Sequence, residues 1–164
     1  MGTASGDASG PFDDAGILLL RPKFEQNVAQ VVRAAACFGV SKITLYRPRY
    51  QPATGRKGDR KPRPLRLKDY RTVQITTATA VQLPTGYIPI AVEFMEEAES
   101  LWSFDHPGRA VYVFGPEDGS IEGDTLALCH RVIRIPSRFC LNLAAAVNIV
   151  LYDRMRKLRD LHPI

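Results

Sequence analysis

RAVYVFGPEDGS, residues 109–120, is an apolar run that stops on glycine and passes into an acidic turn. Side chains of a strand alternate between the two faces of its sheet. Ala110 to Phe114 place no charged group on either face, so this strand is covered on both. Continuous rather than alternating apolar strands are the mark of a parallel sheet between layers of helix. The turn carries its own information. Gly115 would let a ligand come close to the backbone, Pro116 stiffens the turn, and Gly119 can take positive φ. Glu117 is held at the end of the strand.

Flanking segments repeat the pattern. GILLL (16–20), KITLY (42–46), RTVQITTATAV (71–81), YIPIAVEF (87–94) and HRVIRIP (130–136) read as strands, with Pro89 expected at a sheet edge. Helical spacing covers 27–38, where Val28, Val31, Val32, Ala35 and Phe38 share a face and Gly39 is a natural stop. MEEAESLW (95–102) and GDTLALC (123–129) read as short helices, the second with Asp124 available as a cap. A long helix is expected from about Asn142 to Leu161. Alternation of this kind predicts an α/β domain with a mainly parallel sheet and helices on both faces. Ligands of such sheets sit beyond the carboxyl ends of the strands. Chemistry is therefore expected in the loops after Val92, Phe114 and Ile135.

A chain of 164 residues suits one domain with a real core. Residues 1–16, small, polar and acidic, read as a disordered tail without the features of a signal peptide, leaving 17–164 as the folded unit. Cys37, Cys129 and Cys140 are odd in number and far apart, which disfavours a disulfide framework or a zinc site and suits a cytoplasmic protein. His106, His130 and His162 lack partners at metal-ligand spacing. No apolar run is long enough to cross a bilayer. Residues 47–68 hold nine Arg or Lys against one Asp, a local +8 in a chain of net charge +5, so the remainder sums to −3. This Pro- and Gly-laced block reads as a flexible arm attracted to nucleic acid, with Arg56, Lys57, Arg60, Lys61 and Arg63 as phosphate contacts. A solvated loop without a partner is the plain alternative.

Two further stretches carry unusual polar residues. In NVAQVVRAAACFG (27–39), Asn27, Gln30 and Arg33 recur every third residue along one side of a helix. Their neighbours are small, which suits an Arg reserved for a specific anion. In IPSRFCLNLAAAVNIVLYDR (135–154), a strand ends on Ile-Pro, turns, and enters a helix through Cys140, Leu141 and Asn142. Exposed N–H groups at a helix start can hold an acceptor or an anion.

Taken in order, NVAQVVRAAACFG, VFGPEDG and IPSRFCLNLAAAVNIVLYDR resemble the three motifs of the SpoU branch of the SPOUT superfamily of RNA methyltransferases. The Gly-Pro-Glu form and the AVNIVLYDR ending look closest to short members that modify the tRNA wobble ribose. The resemblance implies a knotted α/β fold, a C-terminal trefoil knot, and a homodimer whose active site is completed across the interface. It implies S-adenosylmethionine as cofactor, held by backbone groups at Val92, Gly115, Ile135, Cys140 and Leu141. It implies RNA 2′-O-ribose methylation, with tRNA as partner and with Arg33, Asn27, Glu117 and Asn142 as the catalytic set. Arg33 is a poor base, because guanidinium does not deprotonate in proteins. It is better placed as a clamp on a phosphate and on the developing alkoxide. Ala29 and Cys140 stand where the family often has Gly and Ser. A ribosomal RNA methyltransferase and a non-catalytic RNA-binding relative are the alternatives.

Overall fold

The computed structural model describes residues 14–50 and 72–161. Within them the chain forms β1 (Ala15–Leu20), α1 (Glu25–Cys37), β2 (Lys42–Tyr46), β3 (Gln74–Ala78), β4 (Ile88–Val92), β5 (Glu99–Ser100), β6 (Ala110–Phe114), α2 (Gly123–Ala127), β7 (Arg131–Arg134) and α3 (Leu143–Leu161). The strands make one sheet in the order β3-β2-β1-β6-β4-β7-β5, and every pairing is parallel. Ala15 and Gly16 belong to β1 rather than to the N-terminal tail. The five basic residues singled out in the arm, Arg56 to Arg63, lie outside the described residues.

Alternation divides the core in two. Ile17 and Leu19 of β1, Ile90 of β4, and Tyr112 and Phe114 of β6 meet α1 and α3 through Val28, Val31, Val32, Leu143, Val147, Val150 and Leu151. On the other face, Leu18, Leu20, Ala91, Val111 and Val113 pack with Ile121, with Leu126 of α2, and with Val81, Leu83 and Tyr87 of the segment before β4. Both faces are thus covered, as the unbroken apolar strands required.

Three local expectations fail for identifiable reasons. Residues 95–102 form no helix: Ala98 N–H closes a turn onto Met95 O, and Glu99 and Ser100 pair with Ile133 and Arg134 as β5. The outer side of β7 needs a hydrogen-bonding partner, and that demand outweighs the helix propensity of Met-Glu-Glu-Ala. Pro89 is buried inside the sheet instead of at its edge. It sits one residue before the β4–β7 ladder begins at Ile90, and its carbonyl accepts from His130 N–H. The ladder therefore misses no donor there. Asp124 lies within the first turn of α2, whose N-cap is Glu122 with no side-chain cap bond.

β7 lies between β4 and β5, which residues 93–98 join directly. Val92 and Glu99 both pair with Ile133, so this connection spans β7 at the level where the chain leaves for α3. Gly39, at φ 73, stops α1 as expected.

Candidate active site

The loops after β4, β6 and β7 converge at the carboxyl end of the sheet. They enclose a cleft of about 350 Å³ lined by Val92, Glu93, Phe94, Phe114 to Glu117, Gly119, Ser120, Ile135, Ser137, Cys140, Leu141, Leu143 and Ala146. All five residues expected to hold a cofactor, Val92, Gly115, Ile135, Cys140 and Leu141, are on its wall, as is Glu117.

Gly115 earns its place differently from the expectation. A Cβ there would lie 3.2 Å from Ile121 Cγ1 and 3.3 Å from Ile121 N, so the missing side chain lets the 115–121 loop close on itself. Gly119 is not among the residues with positive φ; its N–H donates to Pro116 O at 3.4 Å. The same loop is tied to β4 by Glu93. Its Oε2 accepts from Ile121 N–H at 2.8 Å, and its Oε1 accepts from Phe94 N–H at 2.9 Å. Glu93 was missed in the sequence because it ends an apolar strand with no motif around it.

Glu117 points to the start of α1. Its oxygens accept from the backbone N–H groups of Lys23 at 2.8 Å and Phe24 at 3.3 Å, and from Asn27 Nδ2 at 2.9 Å. Phe24, the N-cap of α1, offers no capping side chain. Glu117 therefore anchors the start of α1 from another loop, where a negative charge also suits the helix dipole. Burial alone would push its carboxyl up; the bonds from Asn27, Lys23 and Phe24 outweigh that and hold it below its ordinary value.

The chain of amides continues. Asn142 Nδ2 donates to Asn27 Oδ1 at 3.1 Å, while Asn142 Oδ1 accepts from Ala144 N–H at 2.9 Å and Ala145 N–H at 3.4 Å. Asn142 is thus the cap of α3, which is why Cys140 need not be a Ser. Glu117, Asn27 and Asn142 form one hydrogen-bonded line fixing the starts of α1 and α3 against the turn after β6. Arg33 stands apart from that line. It is exposed, six residues beyond Asn27 or about 9 Å along the helix, and is not on the wall of the cleft.

The cleft fits a nucleoside-sized sulfonium compound. Its volume is in the range of small-molecule sites. Its wall combines apolar residues with strand ends, and Glu93 and Glu117 are among its lining residues.

A parallel sheet whose carboxyl end brings the loops after β4, β6 and β7 around one cleft is the arrangement of the SPOUT class of RNA methyltransferases. Residues 14–152 match the SpoU rRNA Methylase family, and the chain belongs to that family. Among solved structures it resembles a protein studied for the 2-OH methylation of C/U34 on tRNA, with 26% identity and a TM-score of 0.76 over 92% of this chain and 99% of that one. It also resembles the A. aeolicus TrmH/SpoU tRNA modifying enzyme, at 22% identity and a TM-score of 0.70 over 91% of this chain and 77% of that one. AviRb from Streptomyces viridochromogenes, solved with AdoMet, shares the fold at 18% identity and a TM-score of 0.68, over 90% of this chain and 62% of that one. No curated protein matches the chain.

Proposed function

We propose that this chain is an S-adenosylmethionine-dependent RNA 2′-O-ribose methyltransferase of the cytoplasm that acts on tRNA, with the wobble ribose as the favoured target. The observation that carries the reading is the convergence of Val92, Gly115, Ile135, Cys140 and Leu141 on one cleft beside the Glu117–Asn27–Asn142 line. The likeness to a nearly equal-length protein concerned with C/U34 of tRNA supports the substrate. The family's description as rRNA methylases keeps ribosomal RNA as the second reading.

S-adenosylmethionine, when bound, supplies an electrophilic methyl group. The chain's part is positional. Strand-end amides and carbonyls hold the donor, and Glu93 and Glu117 keep the cleft electronegative for its charge. Arg33 clamps a phosphate and stabilises the alkoxide that develops on the ribose, while water or a phosphate oxygen takes the proton. Arg33 lies outside its own chain's cleft, so a second copy is taken to supply it in a homodimer. Ile149 and Tyr152, exposed on α3, give such a dimer apolar surface. The crossing of β7 by residues 93–98 supports a threaded carboxyl terminus, and the basic arm through Arg56, Lys57, Arg60, Lys61 and Arg63 adds RNA affinity.

Nucleoside mass spectrometry of tRNA and rRNA from cells with and without the gene tests the reading directly. A 2′-O-methylnucleoside should vanish from tRNA; loss from rRNA alone would move the substrate to the ribosome. Purified Arg33→Ala should lose methyl transfer while calorimetry still records S-adenosylmethionine binding. Arg33→Lys should rescue little, since a point charge does not replace a guanidinium fork. Absence of binding heat for the unaltered protein would indicate a non-catalytic RNA-binding relative.

A further inference from the structure

A second cavity, of about 260 Å³, opens on the other side of the 116–120 turn. Pro116, Gly119 and Ser120 line both it and the cofactor cleft, so the two share a wall. Its remaining lining includes Arg21, Tyr46, Arg49, Asp118 and Glu122. In the sequence nothing sets these residues apart, and Arg47 and Arg49 are only the first two cations of the basic arm.

The cations here are fixed in place. Arg49 Nε donates to Arg21 O at 2.9 Å, which leaves both terminal nitrogens for an anion. They reach Asp118 at 3.2 and 2.5 Å, as a two-point fork on a carboxylate. Lys23 Nζ reaches the same carboxylate at 3.1 Å. Arg21 and Arg47, each directly after a strand, have φ of 48° and 44°. Positive φ is costly for a residue with a Cβ, and such strain gathers where function holds it. Three cations, Arg21, Lys23 and Arg49, thus pair with the carboxylates of Glu122 and Asp118 at this corner, while Arg47 donates to Thr79 O.

We propose that this second cavity is a seat for an RNA backbone phosphate, bound by Arg49 and Lys23, with Asp118 as the internal anion that yields its place. A fork of two guanidinium nitrogens with an ammonium beside them is the donor set that phosphate oxygens take. The site is open to a polymer: the Arg49 side chain is 30% exposed and that of Asp118 43%. Its position next to the basic arm and one wall away from the cofactor cleft suits a phosphate of an RNA strand bound across this face. Arg49 and Lys23 hold Asp118 well below the usual carboxylate range, so it competes as an anion at every pH of interest. This rests on the reading of the chain as an RNA methyltransferase.

The test uses the full chain, unfractionated tRNA and a salt titration of affinity. Arg49→Ala should weaken binding and make the slope of log affinity against log salt shallower by about 1 for each phosphate that the variant no longer neutralises. Asp118→Asn, nearly isosteric, should tighten binding severalfold, because the competing charge is gone. Lys23→Gln, at a more exposed position, repeats the loss without risk to the fold. S-adenosylmethionine affinity should stay unchanged in all three. Unaltered slopes in Arg49→Ala and Lys23→Gln, or weaker tRNA binding by Asp118→Asn, would make the cluster a structural ion pair and overturn the proposal. So would a nucleoside 5′-monophosphate that binds as tightly as tRNA at equal ionic strength, since the seat would then belong to a free nucleotide. Methyl transfer by the unaltered protein is read separately. Slopes that shift as expected in a protein without transferase activity would sink the enzyme and leave the seat.

Discussion

Asn142 serves two partners with one amide: its oxygen closes the first turn of α3 and its nitrogen reaches Asn27. Asn27 and Glu117 complete the line, so residues expected to touch substrate are engaged with one another and with helix ends. Gly115 shows how tightly that arrangement is set. A methyl group at Gly115 meets Ile121 backbone, which cannot swing aside as a side-chain tip could. Gly115→Ala should therefore shift the 115–121 loop, cost on the order of 1–3 kcal/mol in urea unfolding, and weaken S-adenosylmethionine binding by calorimetry. Unchanged affinity would mean that the loop's position does not set the cleft. Much of this site could be read from the sequence, because motif spacing marks strand ends and helix starts. The direction of each side chain could not. Whether Asn27 faces solvent or Glu117 depends on a contact between residues 90 positions apart, and no local pattern encodes it. Glu93 opens the loop after Val92 where chemistry is expected, but a single carboxylate after an apolar run carries no sign of its bonds to Phe94 and Ile121 N–H.

At the scale of elements, α3 is secured along its far half by a buried polar group. Arg154, 3% exposed, donates to Pro107 O and Gly108 O, each at 2.6 Å. Lys157 donates to Leu101 O and Phe104 O. Between them, His106 Nε2 meets Asp153 at 3.0 Å and its Nδ1 meets the Tyr112 hydroxyl at 2.5 Å. Burial pushes the His106 imidazole down to about 4 against the opposing pull of Asp153, so the ring is neutral at pH 7. Nε2 then carries the proton and donates to the carboxylate, while Nδ1 accepts from Tyr112. The sign of the pH dependence follows. The unfolded chain protonates His106 as pH falls through about 6.5, whereas the folded protein does so only near 4. This contribution is whole above the first value and shrinks as pH falls between the two, by roughly 3 kcal/mol in total. Burial also acts on Asp153, but its hydrogen bonds to Lys157 and His106 prevail and keep its carboxyl low, so its own loss comes only at more acid pH. Urea midpoints measured from pH 7 to 4 should fall more steeply for the unaltered protein than for His106→Gln; parallel curves would refute this contribution of His106. The elements themselves were legible where pattern was strong: β2 falls on the residues expected, and α1 and α3 within two. Residues 95–102 were not, because their strand exists only to pair with β7, whose place in the sheet is a long-range fact.

The whole molecule places its cleft where the order of strands ceases to follow the chain. β6 is inserted between β1 and β4, and β7 between β4 and β5, so the loops leaving β4, β6 and β7 open side by side. Such a site is complete on three sides within one chain, yet Arg33 stands on the exposed side of α1 and outside the cleft. In the proposed homodimer, one copy would hold the donor and the other would supply the guanidinium. This arrangement has a consequence that neither variant shows alone. Arg33→Ala copies keep the cleft, and Gly115→Ala copies keep the guanidinium. Light scattering should first find a dimer in each. At a donor concentration too low for the Gly115 variant, each preparation should be nearly inactive. After the two are mixed and allowed to exchange subunits, half the dimers are mixed and each has one complete site, so activity should return to about a quarter of the unaltered rate. No recovery on mixing, with exchange confirmed by mass, would mean that each chain uses its own Arg33 and that the clamp must reach the cleft within a single copy.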